Sequence, residues 1–172
     1  MKVTKTCRLP SPLGEMLLVA NPEGTALAGL YLANQKYFPD DAAQWGEAPQ
    51  LPLFRAAAAQ LREYFAGART AFDLALAPAG TPFQRQVWAA IATVPFAETI
   101  SYGELAARCG RPSAVRAAGA ATGRNPLTIV IPCHRIVGSG GALTGYAGGL
   151  DRKRTLLALE AAHVRPGLLA VA

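Results

Sequence analysis

The chain has 172 residues, 51% of them hydrophobic, with a net charge of +6 and a pI near 9.6, so it can bury the core of one ordinary domain or two small ones, and disorder is not the default. No apolar run approaches the roughly 18 residues of a membrane span and the first residues carry no apolar signal core, which predicts an unexported, cytoplasmic protein without a membrane partner. Cys7, Cys109 and Cys133, with only His134 and His163 for company and no CxxC spacing, fit neither a disulfide framework nor a closed zinc site, so the thiols are expected to be reduced.

Taken in order, "GEMLLVANPEGTALAGLYLANQ" reads as two apolar strands around a Pro/Gly turn at residues 21–24, a hairpin. "LPLFRAAAAQLREYFAG" places Phe54, Ala57, Ala58, Leu61 and Phe65 on one helical face, with Pro52 near the start and Gly67 as the stop. "TAFDLALAPAGTP" reads as one further strand and a linker, closing a small α/β unit at residue 79. The charge distribution changes there too. Residues 1–79 hold seven basic and seven acidic side chains, whereas residues 80–172 hold ten basic, nine of them arginine, and four acidic. A basic half beside a neutral half suits a polyanionic partner, although a merely solvated basic surface gives the same count.

The second half opens with a helix from Pro82 that places Phe83, Val87, Trp88 and Ile91 on one face and stops before Pro95. "SYGELAARCG" reads as a short helix ending at Gly110, and "RPSAVRAAGAATGRN" as a second one with Ser113 as candidate N-cap. Two short helices across a tight turn have the form of a helix-turn-helix, a weak signal alone. The second is built almost wholly of Ala and Gly, with Arg116 its one long charged side chain. Such a helix can approach another surface closely, or it can pack in the core with Arg116 exposed.

"LTIVI" then predicts a strand interrupted by Pro132 just before Cys133. In extended chain Cys133 and His134 point to opposite faces and do not bond directly. A buried, inert cysteine is the more common fate of a lone thiol, and a nucleophile the alternative.

"IPCHRIV", preceded by "GRNP", resembles the active-site motif of the O6-alkylguanine-DNA alkyltransferases. The resemblance runs from "TPFQRQVWAAIATV" through "LTGYAGGLDRKRTLLALE" and includes "SPLGEMLLVA" near the start, so it covers nearly the whole chain. It implies a ribonuclease-H-like α/β domain over residues 1–79 and a mainly α winged helix-turn-helix domain over residues 80–172. The implied reaction is a single irreversible transfer of an alkyl group from O6 of guanine in duplex DNA to Cys133, with O4 of thymine as a second conceivable target. The family's water-bridged relay falls on Cys133, His134 and Glu160. Tyr102 matches the tyrosine that assists the leaving base, and Asn125 a residue bracing the segment.

On the same grounds Arg116 fills the gap left by a flipped base, with Ser113, Ala117, Gly119 and Ser139 as further DNA contacts. Tyr146 walls the alkyl pocket, and backbone groups at Cys133, Ile136 and Ala147 read the guanine. Ala147 stands where some relatives carry serine, so its contact falls to the backbone amide. The N-terminal half lacks the Cys/His set that binds zinc in some relatives, so no metal and no cofactor are expected. The implied partner is double-stranded DNA containing O6-alkylguanine, engaged by a monomer, with cooperative assembly on DNA left open. A non-catalytic binder of alkylated DNA would lack Cys133. A Cys–His hydrolase leaves the basic helix-turn-helix unexplained, and a transcription regulator would need a further domain.

Overall fold

The structure is a computed structural model that describes residues 4–164. The chain divides into two compact units: the described residues up to Gly80 together with Pro126–Val130, and Thr81–Asn125 together with the described residues from Ile131 onward.

The first unit is built on a four-stranded sheet of β1 (Lys5–Leu9), β2 (Met16–Ala20), β3 (Leu27–Leu32) and β4 (Gly46–Glu47), in the order β3-β2-β1-β4. The β2–β3 hairpin is antiparallel, as are β1 and β2, while β4 runs parallel to β1. All five residues of β2 are buried, which is why the strand reads as an unbroken apolar run rather than an alternation. Asn21 shapes the hairpin turn by accepting the backbone N–H groups of Thr25 and Ala26 at 2.8 and 3.0 Å. Helix α1 (Pro52–Phe65) buries Phe54, Ala57, Leu61 and Tyr64.

One strand of this unit was not foreseen from the sequence, and one expectation changes. β1 gives no apolar signature in "KTCRL", yet it is an inner strand, fixed by backbone pairing on both sides. The strand expected in "TAFDLALAPAGTP" shrinks to a single parallel bridge between Leu27 and Leu76. The backbone of Asp73 is instead held by the side chain of Gln60, at 2.8 and 2.9 Å, and Pro78 has no N–H with which to extend the ladder.

The second unit contains α2 (Pro82–Ala92), β5 (Ile100–Ser101), α3 (Tyr102–Arg108), α4 (Val115–Gly123), β6 (Ile136–Val137) and α5 (Leu150–Val164). α2 and α3 each begin with a capping box, Thr81 with Gln84 and Ser101 with Glu104. β5 and β6 pair in parallel, Ile100 with Ile136 and Ser101 with Val137, so the start of α3 lies beside the segment that follows Cys133. Trp88 on α2 donates its indole N–H to the carbonyl of Ala121 on α4 at 2.8 Å, in the buried interior.

Ser113 does not cap α4. The cap residue is Ala114, with no side-chain bond, because Arg111–Ala114 already closes a backbone turn of 2.8 Å. The strand expected in "LTIVI" is absent as well. Leu30 N–H donates to Pro126 and Thr128 N–H to Leu30, at 2.8 and 3.1 Å, but Ile129 then turns to φ 75°. That conformation is costly for a β-branched residue and incompatible with a continuing strand. No helix among the described residues is long and apolar enough to cross a membrane.

The Trp88–Ala121 bond gives a direct test of how α4 is held. Trp88→Phe is expected to lower the unfolding free energy by about 1–3 kcal/mol, the size of a lost buried hydrogen bond plus some lost packing. A denaturant titration checks it, and an unchanged midpoint would contradict it.

Candidate functional site

After Pro132 the chain bends into a single 3-10 turn, Cys133–Arg135. This overturns the expectation of an extended Cys133–His134 pair with side chains on opposite faces, because Pro132 cannot continue a ladder and Cys133 N–H folds back onto Ile131 at 2.8 Å. The Cys133 thiol is 5% exposed. Asn125, two residues past the end of α4, is buried and donates through Nδ2 both to Cys133 Sγ at 3.1 Å and to the Ile131 carbonyl at 2.8 Å. It braces the cysteine directly.

His134 is fully buried and meets Glu160 of α5, with Nε2 at 2.7 Å from Oε1. An ionised carboxylate can only accept, so Nε2 carries the proton and Nδ1 keeps its lone pair. That Nδ1 is buried with no hydrogen-bond partner among the described residues. Burial holds the imidazole below its ordinary pKa, reinforced by the charges of Arg135 and Lys153 and opposed by Glu160. His134 is therefore neutral near pH 7.

Burial also pushes the Cys133 thiol up. Against that work the Asn125 hydrogen bond, the charge of Lys153 and the backbone N–H groups of Cys133 and His134. The resting form is the thiol, with groups in place to stabilise a thiolate once the proton leaves.

Two residues of this site were missed by the sequence reading. Arg135 is buried, donates to both oxygens of Glu160 at 3.0 and 2.9 Å and to the Val94 carbonyl at 2.7 Å. Lys153 is fully buried, and its Nζ donates to the carbonyls of Ile136, Thr144 and Gly145 at 2.5, 3.1 and 3.3 Å. Its position was readable, since Lys153, Leu156 and Glu160 recur at helical spacing and form the buried face of α5. Arg135 carries no comparable signal beyond its place after His134.

Tyr102, at the start of α3, directs its hydroxyl to the carbonyls of Thr144 and Gly145 at 3.1 and 3.2 Å. Burial raises its pKa, with the Cys133 charge adding to the effect. The Tyr102 ring lies 5.9 Å beneath Lys153 Nζ, and a Cβ added at Gly119 would sit 3.7 Å from it. Asn125 is thus bonded to Cys133 and His134 to Glu160, the two pairs joined through the chain at Cys133–His134, while Tyr102 and Lys153 meet on the Thr144 and Gly145 carbonyls. Ile136 is buried, and its carbonyl already serves Lys153. Arg116, Ala117, Ser113 and Ser139 lie exposed, Gly119, Tyr146 and Ala147 half-buried. Among the described residues no group of three or more His, Cys, Asp or Glu side chains could hold a metal ion. The assembly offers one sulfur nucleophile and, at the next residue, a buried neutral imidazole with a nitrogen lone pair.

Residues 82–162 match the 6-O-methylguanine DNA methyltransferase DNA-binding domain and residues 6–78 its ribonuclease-like domain. The methylated-DNA–protein-cysteine methyltransferase of Mycolicibacterium paratuberculosis is 50% identical over 153 residues, covering 89% of this chain and 90% of its own. That of Methanosarcina barkeri is 47% identical over 157 residues, 91% and 97% of the two chains. The crystal structure of Mycobacterium tuberculosis OGT in complex with DNA superposes with a TM-score of 0.86 at 44% identity, covering 92% of this chain and 94% of that one.

Asn125→Ala removes a donor that favours the thiolate, so the sulfur should hold its proton more tightly. Cys133 in this variant is expected to react with iodoacetamide several-fold more slowly at neutral pH, with the inflection of its pH profile moved upward. Digestion and mass spectrometry follow Cys133 separately from Cys7 and Cys109; a faster reaction at neutral pH would contradict the expectation.

Proposed function

Because the chain belongs to the 6-O-methylguanine DNA methyltransferase family, we propose that it repairs DNA by direct reversal, moving the alkyl group from O6 of guanine to Cys133 in one irreversible turnover. The observation that carries the reading is the buried thiol beside a neutral imidazole whose Nε2–H is fixed on Glu160 and whose Nδ1 is left to accept a proton. A bridging water relays the Cys133 proton to His134 Nδ1. The thiolate then attacks the alkyl carbon, the S–C bond forms as the C–O6 bond breaks, and the electron pair leaves on guanine O6. The thioether does not revert, so each chain works once.

Chemistry at a base edge needs the nucleotide extruded from the duplex, at a cost of a few kcal/mol of stacking and pairing. Arg116, exposed on the first turn of α4, fills the vacated space from the minor groove. Ala117 and Gly119 let the helix approach closely, while Ser113 and Ser139 reach the backbone. Tyr102 turns its hydroxyl from the 144–145 carbonyls to the guanine ring, offsetting the charge left on the base. Tyr146 walls the alkyl pocket, and the backbone at Ile136 and Ala147 contacts the purine.

On this reading residues 80–172 form a winged helix-turn-helix domain acting on double-stranded DNA, and residues 1–79 a supporting ribonuclease-H-like domain. The repairing species is a cytoplasmic monomer, and no cofactor enters the reaction.

Incubation with an O6-methylguanine duplex, followed by digestion and mass spectrometry, should find one methyl group per chain, on Cys133. An unmodified Cys133, or turnover beyond one, would refute the proposal. Cys133→Ala should bind the duplex without transfer, and Arg116→Ala should transfer slowly with its thiol intact. A normal rate for Arg116→Ala on duplex DNA would remove the role given to that side chain.

A further inference from the structure

The relay of Cys133, His134 and Glu160 leaves one buried charge without a task. Arg135 places its guanidinium as a fork on Glu160, Nε on Oε2 at 3.0 Å and Nη2 on Oε1 at 2.9 Å. Its third arm is tied to the Val94 carbonyl at 2.7 Å, and the group lies 5.6 Å from the centre of the Phe96 ring. The same carboxylate accepts His134 Nε2–H on Oε1 and the Ala97 N–H on Oε2, at 2.7 and 3.1 Å. Each Glu160 oxygen thus accepts from Arg135 as well as from a second donor, His134 on Oε1 and Ala97 on Oε2.

We propose that Arg135 is a positioning residue for the transfer reaction: by clamping Glu160 through both oxygens it fixes the carboxylate as an acceptor toward His134 and keeps the pair from taking up a proton. The inference rests on the reaction proposed above.

A buried carboxylate facing only an imidazole has two ways to lower its energy. It can gain a proton itself, or it can hold one on the imidazole as an imidazolium–carboxylate pair. Either outcome fills or reorients the nitrogen that has to receive the thiol proton. A permanent cation on the far side of Glu160 removes both incentives, because the carboxylate is already neutralised and an imidazolium would add a second positive charge to a buried cluster. The charged groups facing His134 are Glu160, Arg135 and Lys153, and only Glu160 favours the imidazolium. Arg135 and Lys153 oppose it from two different elements, the turn after Pro132 and α5. Of the two, only Arg135 bonds the carboxylate.

Arginine is required rather than any cation. Two parallel donors match the two carboxylate oxygens, and the guanidinium does not lose its proton in the interior.

The test is the pH dependence of single-turnover transfer from an O6-methylguanine duplex, measured for the native chain, Arg135→Lys and Arg135→Met. In the native chain the rate should hold to below the ordinary histidine range. In Arg135→Met the acid limb is expected to move upward by about one pH unit, the size of a lost guanidinium–carboxylate interaction. Arg135→Lys should lie between them, restoring charge without the fork.

A rate lowered by the same factor at every pH would reduce Arg135 to a structural role and overturn the proposal. Should Arg135→Met not fold, the native chain decides by NMR. With two histidines, and His163→Gln to assign them, a His134 imidazole titrating near the ordinary value of about 6.5 would overturn it. Absence of methyl transfer by the native chain would instead refute the reaction itself, a result the native control reports separately.

Discussion

The Glu160 carboxylate is the point on which the second unit turns. It lies fully buried and receives the His134 imidazole, two guanidinium nitrogens of Arg135 and the Ala97 backbone N–H. An ionised group removed from water survives only when its lone pairs are occupied. Those four donors come from the turn after Pro132 and from the loop that follows α2. One side chain on α5 thereby ties together the segment that carries the nucleophile, the loop before β5, and the C-terminal helix.

Lys153 complements it from the same face of α5, two helical turns earlier. Where Glu160 gathers donors, Lys153 gathers acceptors, the carbonyls of Ile136, Thr144 and Gly145. Both are buried; the charge of Lys153 acts on the Cys133 sulfur, and the two charges act in opposite senses on His134. α5 thus carries two opposite buried charges on one face. Placing them on a helix rather than on the glycine-rich loop fixes their spacing to the helical repeat.

The sequence was most legible where local chemistry and packing agree. The β2–β3 hairpin has its Asn-Pro turn and continuous apolar strands, and α1, α2 and α3 have their Pro, Gly and periodic signals. The capping boxes of α2 and α3 were readable too, as T-x-x-Q and S-x-x-E, and would have fixed both helix starts. β1 was illegible because its place inside the sheet comes from backbone pairing and not from apolar side chains. "LTIVI" misled because β-branched composition reports a preference that tertiary contacts override: its backbone bonds are made at Leu30, far away in sequence, and Ile129 turns out of line. At the site, the motif pointed to Cys133, His134 and Glu160. Arg135 stayed hidden, since a charged residue is read as solvated until its buried partners are known, and Lys153 was passed over for the same reason although its helical spacing with Leu156 and Glu160 marked the buried face.

The burial of those two cations also changes what an approaching polyanion meets. The basic half of the chain carries ten positive side chains in the sequence, but Arg135 and Lys153 are closed off from solvent. Neither can displace counterions from a phosphate backbone, because their positive charge is already spent inside the protein. On the described surface of the second unit that leaves Arg85, Arg108, Arg111, Arg116, Arg124, Arg152 and Arg154, all arginine. With binding falling by about 0.9 decade per phosphate contact for each decade of salt, Arg135 and Lys153 add nothing to the ionic-strength dependence of DNA binding. Counting charges from the sequence overstates it.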